Sequence, residues 1–349
     1  MKQIYILTTI LFFNIIILNA QVVDVVTGLN GPSGLVLNGN DLFIGELDGN
    51  KISKIDITAV TPSPADVITG LTTPEGLALS GNDLFIAEID ANKISKIDIT
   101  AVTPTPIDVV TGLNEPAGLL LVGNDLYIAE LGANKISKID ITAVTPTPID
   151  VVSGLNSPTA LALNGNDLYI SETGGDKISK IDITAVTPTP TDVVTGLNDP
   201  FGLVFDGNDL YIAETLGSKI SKIDVTAVTP TPTDIVTGLN EPEKLALSGT
   251  DLYISEIGGN KISKLDLSTL SLNDNLAALR LKIYPNPTND YILVSQFTQT
   301  KNYNIYNILG MSVLNGNTSE NKKIDVRNLV NGIYFLKLAN LNTIKFIKE

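Results

Sequence analysis

The sequence predicts an all-β fold: a six-bladed β-propeller with four strands in each blade, followed by a small β-sandwich. The first observation is an internal repeat of 42 residues that runs six times without a change of spacing. The copies begin with Asp-Val-Val-Thr-Gly-Leu or a close variant at Asp24, Asp66, Asp108, Asp150, Asp192 and Asp234. The second is that each copy contains short β-type segments with turn signals about every 8–12 residues. A period of about 40–50 residues with this content is typical of propeller blades.

The first 20 residues differ from the repeats and predict a signal peptide. Lys2 precedes an apolar stretch over residues 4–18, and the segment ends in Leu-Asn-Ala at Ala20, after which we expect cleavage. The alternative is a transmembrane anchor, but the stretch is short for a bilayer span of about 20 apolar residues. No cysteine follows it, which excludes bacterial lipid attachment. We therefore expect export, with no transmembrane segment after cleavage.

The third copy illustrates the four strands predicted for each blade. An apolar run at residues 118–121 leads through a Gly-Asn-Asp turn into a second strand at residues 126–130. The third strand follows at residues 135–141, with apolar residues at both parities, which is tolerated where both sheet faces are covered by neighbouring blades. Thr-Pro-Thr-Pro at residues 145–148 excludes helix and central strand, and residues 150–152 open the fourth strand.

The numbers of copies predict how the ring closes. The second and third strand motifs occur six times, whereas the proline-rich linker occurs only five times. After the sixth Lys-Ile-Ser-Lys, at residues 261–264, the repeat ends. The missing outer strand is then supplied by residues 22–29, so that one blade is built from both ends of the domain and the ring has no open end.

The composition removes several kinds of chemistry. The chain has no cysteine and no histidine, so a His general base, a Ser-His-Asp triad, a Cys nucleophile and a His- or Cys-ligated zinc site are all excluded. Carboxylate, amide, hydroxyl and backbone oxygens remain, and these suit hard cations such as calcium. The net charge is −15, while residues 281–349 carry eight basic and four acidic residues. The acidic repeats therefore exclude nucleic acid and favour cations or basic partners, or serve only solubility.

The repeat motifs carry a family resemblance. Pro-Ala-Gly-Leu at residues 116–119, Gly-Asn-Asp-Leu-Tyr-Ile-Ala-Glu at residues 123–130 and Asn-Lys-Ile at residues 134–136 resemble the NHL-type repeat. The wider relatives are the six-bladed propellers of the SMP-30/gluconolactonase class, and the resemblance covers residues 22–267. One departure is that the second strand ends in Glu, where the family usually has Asp. The resemblance implies the fold and says little about activity.

The C-terminal residues 281–349 have a different composition and predict a small β-sandwich after a linker at residues 268–280. Tyr-Pro-Asn-Pro at residues 284–287, Tyr-Asn-Ile-Leu-Gly at residues 306–310 and Asn-Gly-Ile-Tyr-Phe-Leu-Lys-Leu at residues 331–338 occur in order. These segments resemble the type A sorting domain of the Bacteroidetes type IX secretion system. The resemblance implies that the type IX machinery is a partner and carries the protein across the outer membrane. The alternative is an ordinary β-sandwich binding module.

One glutamate recurs at the end of the second strand in every copy. The six residues are Glu46, Glu88, Glu130, Glu172, Glu214 and Glu256. They could form a ring of carboxylates that binds a cation. We favour the structural interpretation, in which each anchors the adjoining loop by hydrogen bonds, because buried carboxylates are normally satisfied by backbone donors.

The loops before the first strand and after the second emerge on one face of the ring, and there the copies diverge. Acidic residues crowd this face, and we interpret five of them as a candidate metal cluster: Glu75, Glu115, Asp199, Glu241 and Glu243. Phe201 and Lys244 interrupt the acidic series. Gluconolactonase-like enzymes hold a central metal with Glu, Asn and Asp from different blades, and calcium is the cation that this cluster would take.

Two functions remain open at the level of sequence. The first is a secreted or cell-surface module that binds an extracellular protein or glycan as a monomer and catalyses nothing, since near-identical repeats give symmetry whereas catalysis needs asymmetric groups of residues. The second is a metal-dependent, lactonase-like hydrolase that uses the loop carboxylates. A bare structural repeat is a third interpretation.

Overall fold

The computed structural model describes residues 22–269, 282–295, 301–308, 310–319, 322–338 and 343–349. The chain divides into two compact units, with the boundary between Leu267 and Ser268. The predicted signal peptide, residues 1–20, and most of the predicted linker lie outside the described residues.

Within residues 22–269, twenty-four strands form six four-stranded antiparallel sheets. Their bounds are β1 Val23–Thr27, β2 Pro32–Asn38, β3 Asp41–Glu46, β4 Lys51–Asp56, β5 Ala65–Thr69, β6 Pro74–Ser80, β7 Asp83–Glu88, β8 Lys93–Asp98, β9 Ile107–Thr111, β10 Pro116–Val122, β11 Asp125–Glu130, β12 Lys135–Asp140, β13 Ile149–Ser153, β14 Pro158–Asn164, β15 Asp167–Glu172, β16 Lys177–Asp182, β17 Thr191–Thr195, β18 Pro200–Asp206, β19 Asp209–Glu214, β20 Lys219–Asp224, β21 Thr233–Thr237, β22 Pro242–Ser248, β23 Asp251–Glu256 and β24 Lys261–Asp266. A 3-10 helix spans Thr173–Gly175.

Each sheet is one blade, and the blades are numbered in chain order. Blades 1 to 5 are β2–β5, β6–β9, β10–β13, β14–β17 and β18–β21, and blade 6 has the strand order β1-β24-β23-β22. The first strand of each blade contacts the first strand of the next, and β22 contacts β2, so the blades form a closed ring. These strands, β2, β6, β10, β14, β18 and β22, are called the inner strands. The predicted six-bladed propeller is confirmed.

The predicted closure is also confirmed. Strand β1, at the N-terminal end of the domain, pairs antiparallel with β24, with Val23 opposite Lys264 and Thr27 opposite Lys261. Val26 is 6% exposed and packs in the cluster that includes Leu42 and Tyr253. The last blade therefore takes its outer strand from the start of the repeats.

The hydrophobic core lies between neighbouring blades. In β12, Ile136 packs in a cluster with Leu168 of blade 4, whereas Ile139 packs in a cluster with Phe85 of blade 2. Apolar residues at both parities are therefore explained, because both faces of a blade are covered. Each fully buried Ile or Leu contributes roughly 1.5–3 kcal/mol relative to its exposed state, and this packing repeats around the ring.

The C-terminal unit contains two further sheets within its described residues. Its strands are β25 Lys282–Tyr284, β26 Tyr291–Ser295, β27 Lys301–Tyr306, β28 Ser312–Thr318, β29 Ile324–Asp325, β30 Gly332–Leu338 and β31 Thr343–Lys348. The sheet orders are β25-β26-β29 and β28-β27-β30-β31. Ile292 and Ile324 of one sheet share a core with Ile305, Leu336 and Phe346 of the other. The two sheets thus pack as the predicted sandwich. Across the described residues of the chain, no helix has both the length and the apolar character needed to cross a bilayer.

Candidate functional site

The recurring glutamates make the same backbone and lysine contacts in every blade. Each is at most 2% exposed. In blade 3, Oε2 of Glu130 accepts a hydrogen bond of 3.0 Å from the backbone N–H of Asn114, and Oε1 lies 3.4 Å from Nζ of Lys135. Lys135 also bonds Asp150 at 2.6 Å, and this hydrogen bond is the main reason that the pKa of Lys135 is raised. These contacts tie the loop before the inner strand to the second and third strands of the same blade.

The inner strands approach one another so closely that most copies have glycine at the third residue. A Cβ atom on Gly76 would lie 2.1 Å from the carbonyl oxygen of Ala117 in the next blade. Gly34, Gly118 and Gly202 meet the next blade in the same way. Blade 4 has Ala160 and blade 6 has Lys244 at this position. The substitution of lysine for glycine places a long cationic side chain at the most crowded part of the ring.

The five predicted acidic residues fall into two groups. Glu115, Asp199 and Glu241 precede the inner-strand proline, with φ angles of 49°, 59° and 51°. Glu115 and Glu241 are exposed and Asp199 is half-buried. In contrast, Glu75 and Glu243 follow the proline and are buried, with 3% and 9% exposure.

The five carboxylates therefore do not form one ligand set. Across the described parts of both units, no group of three or more acidic side chains is arranged to hold a metal ion. The physical reason is the left-handed backbone before the proline, which belongs to the loop between blades and not to the inner strand. The predicted common cluster of Glu75, Glu115, Asp199, Glu241 and Glu243 is thus not assembled as a single site.

What the structure does bring together is a group around Lys244. Nζ of Lys244 lies 3.2 Å from Oε1 of Glu75 in blade 2 and donates a hydrogen bond of 2.9 Å to the carbonyl oxygen of Thr159 in blade 4. The same atom lies 4.3 Å from the ring centroid of Phe201 in blade 5, within the range of a cation–π contact. One side chain of blade 6 thus contacts three other blades. We call Ser33, Glu75, Thr159, Phe201, Glu243 and Lys244 the axial cluster.

Glu243 is the most perturbed acid of the axial cluster. Burial is the largest cause and the negative charge of Glu75 the second, and together they raise the pKa of Glu243 to about 7. The Ser33 side chain and Lys244 act in the opposite direction, and Asp199 adds a further upward contribution. Oε2 of Glu243 is buried and has no hydrogen-bond partner among the described residues. The pKa of Glu75 is also raised by burial, and there Lys244 opposes the rise.

Two residues of the axial cluster, Glu75 and Lys244, line a cavity at the centre of the ring. Its volume is about 140 Å³, and all six inner strands contribute to its lining, including Gly34, Glu75, Gly118, Ala160 and Lys244. A cavity of about 150 Å³ accommodates a molecule the size of benzene. The space therefore suits a small ligand or several waters.

Sequence reasoning noted Phe201 and Lys244 only as interruptions of an acidic series. The signal that could have found the axial cluster is a comparison of equivalent positions. The residues after the inner proline are Ser33, Glu75, Ala117, Thr159, Phe201 and Glu243, and the next residues are glycine except at Ala160 and Lys244. These two positions vary between copies, and both lie on the inner strands.

Comparison with known proteins agrees with the division of the chain. Residues 282–349 match the family described as the secretion system C-terminal sorting domain. The chain therefore ends in a sorting domain, and such a domain implies export to the cell surface or the extracellular space. No curated protein sequence matches the chain significantly.

Solved structures match the propeller. A chain in the crystal structure of a nidogen/laminin complex has a TM-score of 0.57 at 17% identity, covering 66% of this chain and 89% of that one. A catalytically inactive histidine-to-alanine variant of virginiamycin B lyase from Staphylococcus aureus, with quinupristin, has 0.52 at 20%, covering 79% and 94%. A luciferin-regenerating enzyme has 0.59 at 13%, covering 70% and 94%. At these identities the likeness establishes the fold alone: the β-propeller of the SMP-30/gluconolactonase-like and NHL-type proteins.

Proposed function

We propose that this chain is a secreted or cell-surface propeller that binds an extracellular protein or glycan without catalysing a reaction, and that the type IX secretion system exports it. The matched sorting domain and the predicted signal peptide support the route of export. The nidogen/laminin structure supports the function by analogy, since there a chain of this fold belongs to a complex between proteins.

The observation that carries the proposal is where the blades differ. The recurring glutamate–lysine contacts that hold each blade are the same in all six copies. Two of the positions that vary are the second and third residues of the inner strands, and they include Glu75 and Lys244, which line the central cavity. We propose that the partner is recognised at these positions, here called the channel mouth. The ammonium group of Lys244 lies among these residues, 3.2 Å from Glu75, and a fixed positive charge there disfavours a divalent catalytic ion.

The virginiamycin B lyase comparison also bears on catalysis. The solved variant of that enzyme is described as inactive after a single histidine was changed to alanine. The present chain contains no histidine. It therefore lacks the residue type whose loss inactivates that neighbour, which supports a binding function over a related lyase activity.

A lactonase-like hydrolase is the competing function, and one observation favours it. Glu243 has a pKa of about 7, so it could accept a proton near neutral pH, as a general base must. A panel of sugar and aliphatic lactones, assayed with and without calcium, separates the two functions. Turnover that Glu243→Gln abolishes and Glu241→Gln preserves would establish the hydrolase and contradict our proposal.

Export is tested by transplantation. Residues 268–349 are fused to a periplasmic reporter in a host with a functional type IX system, and the reporter is assayed in the periplasm, on the cell surface and in the medium. We expect the reporter to leave the periplasm and a type IX-deficient strain to retain it. Retention in both strains would contradict the proposed route.

Binding is tested on arrays of extracellular glycans and proteins probed with the full chain. We expect a ligand whose signal falls at least tenfold in the axial double variant Glu243→Gln, Lys244→Gly and is unchanged in Glu115→Gln, which alters an exposed loop carboxylate of the same face. Equal binding by all three proteins would place recognition elsewhere and contradict the proposal for the channel mouth.

A further inference from the structure

The outer strand of each blade has one open edge. It lies at one end of its sheet, and in blade 2 the outer strand β9 pairs with β8 and with no other strand among the described residues. The backbone N–H and C=O groups on the far side of β9 therefore point away from their own sheet. An edge of this kind can accept a further strand through main-chain hydrogen bonds.

A groove follows this edge between blades 2 and 3. It is lined by all five residues of β9, 107–111, and by the proline-rich loop of blade 3, which includes residues 143–148. Because successive side chains of a strand point to opposite faces, a groove that all five residues line runs along the edge of the strand. Equivalent grooves lie between blades 6 and 1, along β1, and between blades 4 and 5, along β17.

These grooves have the size of a short extended segment. Their volumes are about 540 Å³ beside β1 and about 640 Å³ beside β9 and β17. In packed sheets one residue takes roughly 3.3 Å along the strand, 4.8 Å to the next strand and 10 Å between faces, or about 160 Å³. Each groove therefore has room for about three or four residues of an added strand.

Exposed aliphatic side chains line both walls of the groove beside β9. Ile107, at the start of β9, is 59% exposed, and Val144 of the facing loop is 100% exposed. The corresponding pairs of the repeat are Val23 with Val60 and Ile149 with Val186, and all four side chains are exposed. Such side chains on the surface of an exported protein indicate an interaction site.

The surroundings of the groove are acidic. Asp108 lines the groove, and its side chain is 54% exposed although Nζ of Lys93 lies 2.7 Å away. Asp140, just before the loop, accepts hydrogen bonds from the hydroxyl and the backbone N–H of Thr142, and these lower its pKa and keep it ionised. A segment with basic side chains is therefore favoured in the groove, whereas a second copy of the acidic propeller is repelled.

We propose that the outer strands of blades 6, 2 and 3 each bind an extended segment of a partner protein, with alternating aliphatic and basic residues, as an added β-strand. Alternation lets the aliphatic side chains pack on pairs such as Ile107 and Val144 while the basic side chains stay in water near the carboxylates. The site lies on the outer strands, apart from the axial cluster, and adds to the proposed function. Three equivalent sites on one ring favour a partner with repeated segments, because linked segments bind with higher avidity.

Isothermal titration calorimetry of the full chain with the capped hexapeptide acetyl-Lys-Val-Lys-Val-Lys-Val-amide tests the inference. We expect three equivalent sites, with affinity that falls as sodium chloride is added. Two comparison peptides separate the contributions. The Glu-Val version reverses the charge, and a version N-methylated at every residue keeps the charge and side chains but has no backbone N–H. Each should bind at least tenfold more weakly.

The repeat itself supplies matched variants. The outer strands of blades 4 and 5 begin with Thr191 and Thr233, where those of blades 2 and 3 begin with isoleucine. Ile107→Thr should therefore leave two sites, and the triple variant Val23→Thr, Ile107→Thr, Ile149→Thr should weaken binding at all three at least tenfold. The reverse change, Thr191→Ile beside the loop that carries the exposed Val228, should add a fourth site. That gain is a result that loss of folding cannot mimic.

Three results would overturn the inference: no saturable binding of the Lys-Val peptide, equal binding of its N-methylated form, or three unchanged sites in the triple variant. Other occupants of the grooves have their own readouts. Self-association of the full chain in light scattering that the triple variant abolishes would assign the grooves to a second copy. A glycan on the arrays that the triple variant no longer binds would assign them to a glycan, and either result contradicts a peptide strand. Function at the channel mouth is judged separately, by the axial double variant.

Discussion

One position of the inner strands differs from blade to blade in size, polarity and charge. The residue after the inner proline lies on the same backbone in each blade, yet it is Ser33, Glu75, Ala117, Thr159, Phe201 or Glu243. These side chains are buried or half-buried around the axis, so their polar groups interact across blades and not with bulk water. The electrostatic state of Glu243 is the clearest result of this arrangement, since its main perturbing charge, Glu75, belongs to another blade.

Glu243 should make the free energy of unfolding depend on pH. Its pKa is about 7 in the folded protein and about 4.3 in an unfolded chain, so between these values the folded state binds more protons. Stability should therefore decrease as the pH rises from about 4.5 to 7, by about 3 kcal/mol in total, and level off above that. Glu243→Gln should remove this contribution and be the more stable protein at pH 8, but not at pH 4.5.

Urea denaturation of wild type, Glu243→Gln and the loop control Glu241→Gln at both pH values checks this expectation. The control should follow the wild type. Identical pH profiles for Glu243→Gln and the wild type would mean that Glu243 is not buried as described.

Among the strands of the propeller, β1 is unusual because it pairs with a strand from the other end of the domain. β1 completes blade 6 from the other end of the domain. In every other blade the outer strand directly follows the other three strands of the same blade in the chain. The sequence predicted this from the number of linkers alone, because five proline-rich linkers cannot supply six outer strands. It likewise predicted that the third strand is covered on both faces, since Ile136 and Ile139 have opposite parity and both are buried.

Deletion of residues 22–29 should therefore open the ring. The deletion removes the buried side chains of Val26 and Leu29, worth together about 3–6 kcal/mol of unfolding free energy, and exposes the edge of β24 to self-association. A synthetic peptide of residues 22–29 should restore the lost stability when added in excess, whereas a scrambled peptide should not. Thermal unfolding and light scattering follow the two effects. An unchanged unfolding midpoint after the deletion would contradict the role of β1.

The six similar blades form a symmetric frame around a centre whose side chains differ from blade to blade. The sequence predicted the frame but not the side-chain contacts at the centre. The frame follows from short-range patterns that recur, so a period and a set of turn signals define it. The centre depends on which side chains meet across the ring, and Lys244 and Thr159 are 85 residues apart. No local pattern encodes that contact. The five residues predicted to form one metal cluster are divided for the same reason, because neighbouring positions such as Glu241, which is exposed, and Glu243, which is buried, belong to different environments.

The symmetry itself is testable through the recurring glutamates. Glu172→Ala in blade 4 and Glu214→Ala in blade 5 each remove the acceptor of a backbone N–H and the partner of a lysine. Each should cost about 2–4 kcal/mol of unfolding free energy, and the two costs should be equal because the local contacts are the same. Glu115→Ala, at an exposed loop position, should change stability by no more than about 0.5 kcal/mol. Chemical denaturation measures all three. Clearly unequal costs for Glu172→Ala and Glu214→Ala would contradict the equivalence of these blades.

The pairing of β1 with β24 also has a consequence in time. Val23 is among the first residues of the repeats to be synthesised, and its partner Lys264 is among the last. Until Lys264 is available, the opening strand has no hydrogen-bonding neighbour and blade 1 has no sixth blade against which to pack. A chain that enters a membrane channel N-terminus first therefore cannot finish its ring before nearly the whole propeller has passed through. The pairing of β1 with β24 is thus the last step in closing the ring, and it cannot form until nearly the whole propeller has crossed the membrane.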